Sequence, residues 1–219
     1  MPRNSTMKLT FLERQAPSPS DPEQLLILLH GYGSNERDLY QLGPYVSDRH
    51  RIISVRAPMA LEREMYAWFP LAFTPEGIRV DRKEAAQACE QFCDFLREVT
   101  STYLPKGGKP WLMGFSQGAV MSYLAALNEP GLVNGVIALS GKLPENADEL
   151  NLESDHFRTL PFLVMHGTYD DVLPVENGTE AREWLSGTLE DITYHQYGMG
   201  HEIIPEQLAH IREWLALKS

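Results

Sequence analysis

A serine between two glycines, Gly114-x-Ser116-x-Gly118, is the pattern in this sequence that points most directly to chemistry. It follows the apolar run Trp111–Met113 and precedes small and apolar residues typical of a helix. On such a strand-to-helix turn the serine projects from the sheet edge, and the glycines let neighbouring backbone pass close by. Amide groups at the start of the helix favour negative charge there. The pattern predicts Ser116 as a nucleophile, and the structural alternative is a serine that caps a helix.

A serine is a weak nucleophile at neutral pH, so a base and a group that orients this base must lie elsewhere in the chain. The segment Gly198-Met-Gly-His201 follows a late apolar stretch and leads into a helix pattern, which favours His201 as the base. Asp170 and Asp171 follow the apolar run Phe162–Met165. Ligands of open α/β sheets bind at that end of a strand, so either aspartate is placed to orient the imidazole.

A tetrahedral oxyanion needs two hydrogen-bond donors, and a second glycine-containing segment suggests where one of them lies. The apolar run Leu25–Leu29 ends in His30-Gly-Tyr-Gly33, where small residues let the backbone bend. We assign the two donors to the backbone amides of Tyr32 and of Gln117, the residue after the predicted nucleophile. The alternative is an ordinary glycine turn after a buried strand.

Six short apolar runs predict strands, and helix-like stretches separate them. Most runs are apolar at consecutive positions, as expected for strands of a parallel sheet with helices on both faces. The alternation of strand and helix predicts the α/β class. The predicted strands are Leu25–Leu29, Ile52–Val55, Trp111–Met113, Val136–Leu139, Phe162–Met165 and Ile192–Gln196.

Capping residues mark the starts of three predicted helices. Asp81 begins a helix that we expect to end near Thr102. Asn35 is suited to cap a helix over the following dozen residues, burying Leu39, Leu42 and Val46. Pro205 suits the first turn of a closing helix.

Two connections between predicted elements are long enough to have a function. The first, 57–80, contains Met65, Trp68 and Phe69, which we take as candidate substrate-binding residues; the alternative is that they only pack the loop down. The second, 141–159, has its leucines scattered among acidic and polar residues without an apolar stripe. We therefore expect no large lid and an open site.

The 219 residues are 43% hydrophobic and carry a formal charge of −11. This size predicts a single domain over 1–219. The negative charge argues against nucleic acid or stable membrane association, leaving a small molecule as the expected partner and the oligomeric state open. The two cysteines share one face of a predicted helix, and no secretory signal is seen, so we expect a cytoplasmic protein. No spacing suggests a metal site or a cofactor.

Five motifs distributed over nearly the whole chain carry a resemblance: Leu29-His-Gly-Tyr-Gly33, Gly114-Phe-Ser-Gln-Gly-Ala119, Ala138-Leu-Ser-Gly141, His166-Gly-x-x-Asp170-x-x-x-Pro174 and Gly198-x-x-His201. They resemble the phospholipase/carboxylesterase family of α/β-hydrolases, which includes acyl-protein thioesterases. In that family the elbow serine, the aspartate three residues after His-Gly and the histidine of the late loop form a catalytic triad. The resemblance thus implies the α/β-hydrolase fold and a triad of Ser116, Asp170 and His201.

Two positions depart from the family pattern. Asp171 stands where relatives commonly have proline, so the acid is either Asp170 or Asp171. In Trp68-Phe-Pro70, proline replaces the aspartate of the family's Trp-Phe-Asp near the substrate.

The resemblance implies a serine hydrolase that cleaves carboxylic esters or thioesters through an acyl-enzyme. Two other hypotheses remain open. The same fold and triad support peptidases and dienelactone-type hydrolases, and a catalytically silent binding protein is also compatible with the fold. A fluorophosphonate probe would separate an enzyme from a binding protein.

Overall fold

The structure is a computed structural model that describes residues 8–75, 77–149 and 155–219. The strands are β1 (Phe11–Arg14), β2 (Gln24–Leu29), β3 (His50–Val55), β4 (Met59–Glu62), β5 (Met65–Ala67), β6 (Leu71–Thr74), β7 (Gly77–Val80), β8 (Trp111–Phe115), β9 (Gly135–Leu139), β10 (Phe162–Gly167) and β11 (Ile192–Tyr197). The helices are α1 (Glu36–Tyr40), α2 (Gly43–Val46), α3 (Arg82–Tyr103), α4 (Gln117–Asn128), α5 (Asp155–Arg158), α6 (Glu176–Ser186) and α7 (Pro205–Lys218).

Seven of the strands form one sheet in the order β1-β3-β2-β8-β9-β10-β11. β1 is antiparallel to β3, and the other neighbouring pairs are parallel. All six strands predicted from the apolar runs lie in this sheet. Because parallel strands end at the same edge, the segments that follow β2, β8, β10 and β11 meet there.

Helices cover both faces of the sheet, as the unbroken apolar runs predicted. Within β2, Ile27 packs into the layer that contains Phe92 of α3. Its neighbours Leu26 and Leu28 pack into the opposite layer, which contains Ile211 of α7. Successive residues of a strand point to opposite faces, so a strand with two covered faces must be apolar at every position.

The predicted caps begin helices where expected. The Asp81 side chain accepts hydrogen bonds from the amides of Lys83 and Glu84 at 2.9 and 3.2 Å, and α3 ends at Tyr103. Pro205 is the first residue of α7. An amide at this position forms no hydrogen bond within the helix, so proline, which has no amide hydrogen, costs the helix nothing there.

The helix predicted after Asn35 is instead two short ones. Asn35 caps α1, accepting from the Arg37 amide at 3.0 Å, but α1 ends at Tyr40. Pro44 lies in the first turn of α2, and a proline inside a continuous helix would remove one of its hydrogen bonds. Leu42 lies between the two helices and is only half-buried.

The connection 57–80 is not an irregular loop. It folds as two antiparallel hairpins, β4–β5 and β6–β7. In the second hairpin Leu71 pairs with Val80 and Phe73 pairs with Ile78. Because alternate residues of a strand share a face, these four apolar side chains lie on one side of the hairpin.

The connection 141–159 forms no large lid in the parts that the structure describes. It contains one turn of 3-10 helix, Ala147–Glu149, and the four-residue α5. Leu150 and Leu152, which entered the prediction, lie outside the described residues. Over the described ranges of the chain, no helix combines the length and the hydropathy that a bilayer crossing requires.

Candidate active site

The turn between β8 and α4 holds Ser116 in a backbone conformation that non-glycine residues rarely adopt. Its φ is 55° and its ψ is −116°. Close packing requires the flanking glycines. A Cβ added to Gly114 would lie 2.2 Å from the Gly118 carbonyl oxygen, and a Cβ added to Gly118 would lie 2.0 Å from the Leu29 carbonyl oxygen. The elbow predicted from the sequence is therefore present, and its strain is held by contacts with a neighbouring strand.

Three side chains from separate loops form a hydrogen-bonded chain at the carboxyl edge of the sheet. His201 Nε2 lies 3.0 Å from Ser116 Oγ. His201 Nδ1 lies 2.7 Å from Asp170 Oδ2. Since a carboxylate only accepts, Nδ1 carries the hydrogen toward Asp170 and leaves Nε2 to accept from the serine hydroxyl. The ring of Phe115 packs against the imidazole, with centroids 4.9 Å apart.

The loop after β10 determines which of the two adjacent aspartates faces the histidine. Asp170 is buried, and its Oδ1 accepts from the amides of Val172 and Leu173 at 2.9 and 2.8 Å. Its other oxygen is then directed at His201. Asp171 is exposed. The structure thus brings Asp170, and not Asp171, to the histidine.

His166, at the end of β10, is fully buried and contacts the loop that carries Asp170. Its Nε2 donates to the Leu173 carbonyl at 2.7 Å and lies 3.5 Å from Asp170 Oδ2. The residue whose amide holds Asp170 is therefore itself held by His166. The spacing of four residues between His166 and Asp170 was visible in the sequence, but the contact with Leu173 depends on how the loop turns.

The two residues predicted to supply oxyanion donors lie on either side of the elbow. Gln117 is the first residue of α4, and Tyr32 lies in the loop after β2. Within the described ranges, neither backbone amide donates to a backbone carbonyl, as expected of amides that bind an oxyanion. The Tyr32 loop is fixed by a 2.8 Å hydrogen bond from the Gly33 amide to the Tyr66 carbonyl of β5.

The side chain of Gln117 has a second contact that sequence reasoning missed. Its Oε1 accepts from the Trp68 amide and its Nε2 donates to the Phe69 carbonyl, both at 2.8 Å. Both groups of this buried amide are therefore satisfied by the segment between β5 and β6. No local sequence signal predicts such a contact, because the partners are 49 and 48 residues away.

His30 joins the same segment to the end of β2. Its carbonyl accepts from the Trp68 indole Nε1 at 2.9 Å, and its ring Nε2 accepts from the Ala57 amide at 3.0 Å. Ring Nδ1 lies 2.8 Å from the Gly31 carbonyl. Burial lowers the pKa of His30, so the neutral ring that these contacts require is favoured.

A cavity of about 220 Å³ opens beside Ser116. Ser116, Gln117 and His201 form its polar end, and apolar side chains form most of the rest. The apolar lining is Phe69, Leu71, Phe73, Ile78, Val80, Val120, Val172 and Leu173, with Tyr32 and Lys142 completing the wall.

Of the three candidate substrate-binding residues, the structure brings Phe69 to this cavity. Trp68 is 2% exposed and packs into the core below it. Met65 lies beside Gly33, outside the lining of the cavity. The hairpin β6–β7 supplies the further wall residues Leu71, Phe73, Ile78 and Val80, of which only Phe73 is among the apolar loop residues that the sequence suggests for an acyl chain. The alternation of Leu71 with Phe73 is the signal that could have found them.

Over the described ranges, no group of three or more His, Cys, Asp and Glu side chains is arranged to hold a metal ion. The polar groups around Ser116 are instead hydrogen-bonded to one another or to backbone. The arrangement is suited to attack by a serine hydroxyl on a carbonyl carbon, with an imidazole within reach of the proton.

The sequence matches relatives that act on esters and thioesters. The profile of the phospholipase/carboxylesterase family matches residues 15–219. Acyl-protein thioesterase 1 of Mycosarcoma maydis is 35% identical, over 89% of this chain and 90% of its own length. Acyl-protein thioesterase 1 of Gibberella zeae is 32% identical, over 64% of this chain and 57% of its own.

Solved structures show the same fold. Esterase PE8 has a TM-score of 0.81 and 29% identity, covering 97% of this chain and 100% of its own. The Bacillus cereus carboxylesterase has a TM-score of 0.83 at 21% identity, and the match covers 98% of this chain and 96% of that chain. The α/β-hydrolase fold expected from the sequence is therefore confirmed. The chain belongs to the phospholipase/carboxylesterase family of α/β-hydrolases and is a hydrolase of carboxylic esters or thioesters.

Proposed function

We propose that Ser116, His201 and Asp170 form the catalytic triad and that this protein hydrolyses esters or thioesters with short to medium acyl chains through an acyl-enzyme. One observation carries the proposal: the continuous hydrogen-bonded chain from Ser116 Oγ to His201 at 3.0 Å and from His201 to Asp170 at 2.7 Å. Three loops that are far apart in sequence supply these groups, so their alignment is a property of the fold.

In the first half-reaction His201 takes the proton of Ser116 as the serine oxygen attacks the acyl carbon. Asp170 holds the imidazole in the tautomer that accepts this proton and stabilises the imidazolium that forms. The carbonyl oxygen becomes negative and is held by the amides of Tyr32 and Gln117. The bond to the alcohol or thiol then breaks, and His201 returns the proton to this leaving group.

In the second half-reaction water takes the place of the leaving group. His201 removes a proton from this water, which attacks the acyl carbon bound to Ser116. The same two amides hold the second oxyanion. As this intermediate collapses, the bond from the acyl carbon to Ser116 Oγ breaks and His201 returns the proton to Oγ, which releases the carboxylic acid and restores the serine hydroxyl. No step needs a group beyond the side chains and amides named here.

The apolar cavity of about 220 Å³ supports a preference for short to medium acyl chains. The described parts of the connection 141–159 hold no long apolar helix that would have to open at a lipid surface. We expect the rate on p-nitrophenyl butyrate, octanoate and palmitate to show no sharp rise where each substrate aggregates. Such a rise, or a clear preference for palmitate, would contradict the open site.

A cytoplasmic location is part of the proposal. It is supported by Cys89 and Cys93, which are both buried as free thiols with sulfur atoms 4.0 Å apart. Thiols persist in reducing compartments, whereas secreted chains commonly use cysteines as disulfides.

The test is Ser116→Ala with Ser186→Ala as the control, since Ser186 is exposed at the end of α6 and does not line the cavity beside Ser116. We expect ester and thioester hydrolysis to fall by about 10⁶ in Ser116→Ala, because the bond-forming atom is lost while the side chain stays small. Fluorophosphonate labelling should vanish with it. A folded Ser116→Ala protein that keeps its activity would refute the assignment, and wild-type protein that neither labels nor hydrolyses would indicate a binding protein.

A further inference from the structure

Lys142 introduces a positive charge into an otherwise apolar wall. It lines the cavity beside Ser116, and the other described residues of that wall include no aspartate, glutamate or arginine. Its side chain is only 25% exposed. A long cationic side chain is normally mostly exposed, so the partial burial of this lysine at the wall of the nucleophile's cavity calls for an explanation.

The turn after β9 determines where this lysine lies. Ser140 has a φ of 48°, in the left-handed region. The following residue, Gly141, packs so closely on α4 that an added Cβ would lie 2.5 Å from the Ala119 Cβ and 3.5 Å from the Ser116 carbonyl oxygen. Lys142 is therefore attached directly to a segment in contact with the elbow.

The positive charge of Lys142 is incompletely compensated. Its nearest described carboxylate is that of Glu145, whose Oε1 is 3.8 Å from Nζ, beyond hydrogen-bond distance. The Glu145 side chain is 42% exposed, so water competes for it. Among the described residues Nζ has no hydrogen-bond acceptor, so its donors can serve a substrate anion that reaches them from the cavity wall.

Neighbouring cavities indicate which end of a substrate would reach Lys142. A second cavity of about 330 Å³, toward α3, shares Phe69, Val80, Val120 and Lys142 with the catalytic one. Its further lining includes the charged residues Arg82, Glu90, Glu129 and Glu145, so Lys142 lies at the boundary between an apolar and a charged cavity. His201 instead adjoins a separate cavity bordered by α1. The leaving group must depart near His201, which protonates it, so the acyl chain extends toward the Lys142 end.

We infer that Lys142 is a specificity-determining residue that selects acyl chains bearing a carboxylate, so that the preferred substrates are half-esters or half-thioesters of dicarboxylic acids. The inference rests on the proposed function, because it assumes attack by Ser116. The carboxylate replaces water at the ammonium and forms a charge-assisted hydrogen bond in a site of low polarity. An uncharged chain of the same length forms no such bond.

The experiment compares p-nitrophenyl octanoate with mono-p-nitrophenyl suberate, which has the same chain length and leaving group but ends in a carboxylate. Wild-type protein should have the higher kcat/KM on the suberate ester. In Lys142→Met, the ratio of kcat/KM on suberate to kcat/KM on octanoate should fall by about 10- to 100-fold, the loss expected for a hydrogen bond to a charged group. Lys142→Gln should lose the preference as well, and Lys142→Arg should keep it.

The control is Lys106→Met, which removes an exposed lysine that lines none of the described cavities named here and should leave both rates unchanged. Glu145→Gln should strengthen the suberate preference, because it removes the carboxylate that competes for Lys142. If the wild type hydrolyses octanoate but does not prefer suberate, or if Lys142→Gln keeps the suberate preference, the inference about Lys142 is wrong. The proposed function would stand in both cases. Absence of hydrolysis of both esters by the wild type would overturn the proposed function and the inference with it.

Discussion

The cavity beside Ser116 has two walls that are built in different ways. The wall at the carboxyl edge of the sheet holds Asp170 through two backbone amides and His201, and it holds the strained Ser116 between closely packed glycines. The facing hairpin β6–β7 is half-exposed, and Phe73 at its end is 68% exposed. The catalytic groups, which must be aligned to fractions of an ångström, lie on the wall at the sheet edge, which we call the rigid wall. The apolar side chains that only exclude water from an acyl chain lie on the hairpin, which we call the adaptable wall.

After the loss of the nucleophile itself in Ser116→Ala, the largest expected effect lies on the rigid wall. Asp170→Asn should reduce turnover by about 10⁴, because an asparagine amide favours the wrong tautomer of His201. Asp171→Asn is the matched control, since this neighbouring carboxylate is exposed, and it should cost less than about tenfold. Steady-state kinetics on p-nitrophenyl butyrate measures both. If the two losses were reversed, Asp171 would be the acid.

An intermediate effect is expected at Gln117, whose side chain links the elbow to the segment leading into the hairpin. Gln117→Met has a similar length but leaves the Trp68 amide and the Phe69 carbonyl without their partner. We expect a loss in the free energy of unfolding of about 2–4 kcal/mol from two unpaired buried groups. We also expect kcat/KM to fall by about 10- to 100-fold, carried mainly by kcat, because elbow and oxyanion amides lose their alignment.

Gln207→Met provides the control for Gln117. Gln207 is also buried, and its side chain accepts from the Ile204 amide at the start of α7, away from the cavity. Its substitution should lower the free energy of unfolding while kcat and KM stay unchanged. If both glutamine variants lost stability alike and neither changed kcat, Gln117 would have only a structural role.

The smallest effect is expected on the hairpin. Phe73→Ser removes an exposed apolar group that contacts Tyr32, with ring centroids 6.0 Å apart. The change should lower kcat/KM on octanoate by a few-fold, roughly what a partly buried apolar contact contributes, and leave butyrate unchanged. Leu217→Ser, at an exposed apolar residue of α7, should alter neither rate. A loss larger than that of Gln117→Met would mean that the hairpin is not the adaptable wall.

Local signals in the sequence were sufficient for most of the framework. The strands of a doubly covered sheet must be apolar at each position, so their runs were visible without any contact information. Asp81 and Pro205 act on amides within a few residues, and both begin helices where expected. The single helix predicted after Asn35 is wrong in its length, because Pro44 interrupts a continuous helix and begins a second one.

The hairpins of 57–80 were missed for a related reason. Their strands are only three or four residues long, and the alternation of Leu71 with Phe73 is too short to stand out from a loop. Trp68 is a candidate substrate residue from the apolar composition of its loop and from the family's Trp-Phe-Asp pattern, with packing as the alternative. In the structure its indole donates to the His30 carbonyl and is buried in the core.

By itself the sequence determined that a serine elbow, two candidate acids and a late histidine follow strands of one parallel sheet, because these features depend on neighbouring residues. Only the tertiary structure decided that Asp170 rather than Asp171 faces His201, that Gln117 binds the segment 68–69, and that Lys142 lines the apolar cavity. Each of these depends on the direction in which a loop turns and on partners tens of residues away. Such contacts are selected by the packing of the whole sheet, which no local pattern encodes.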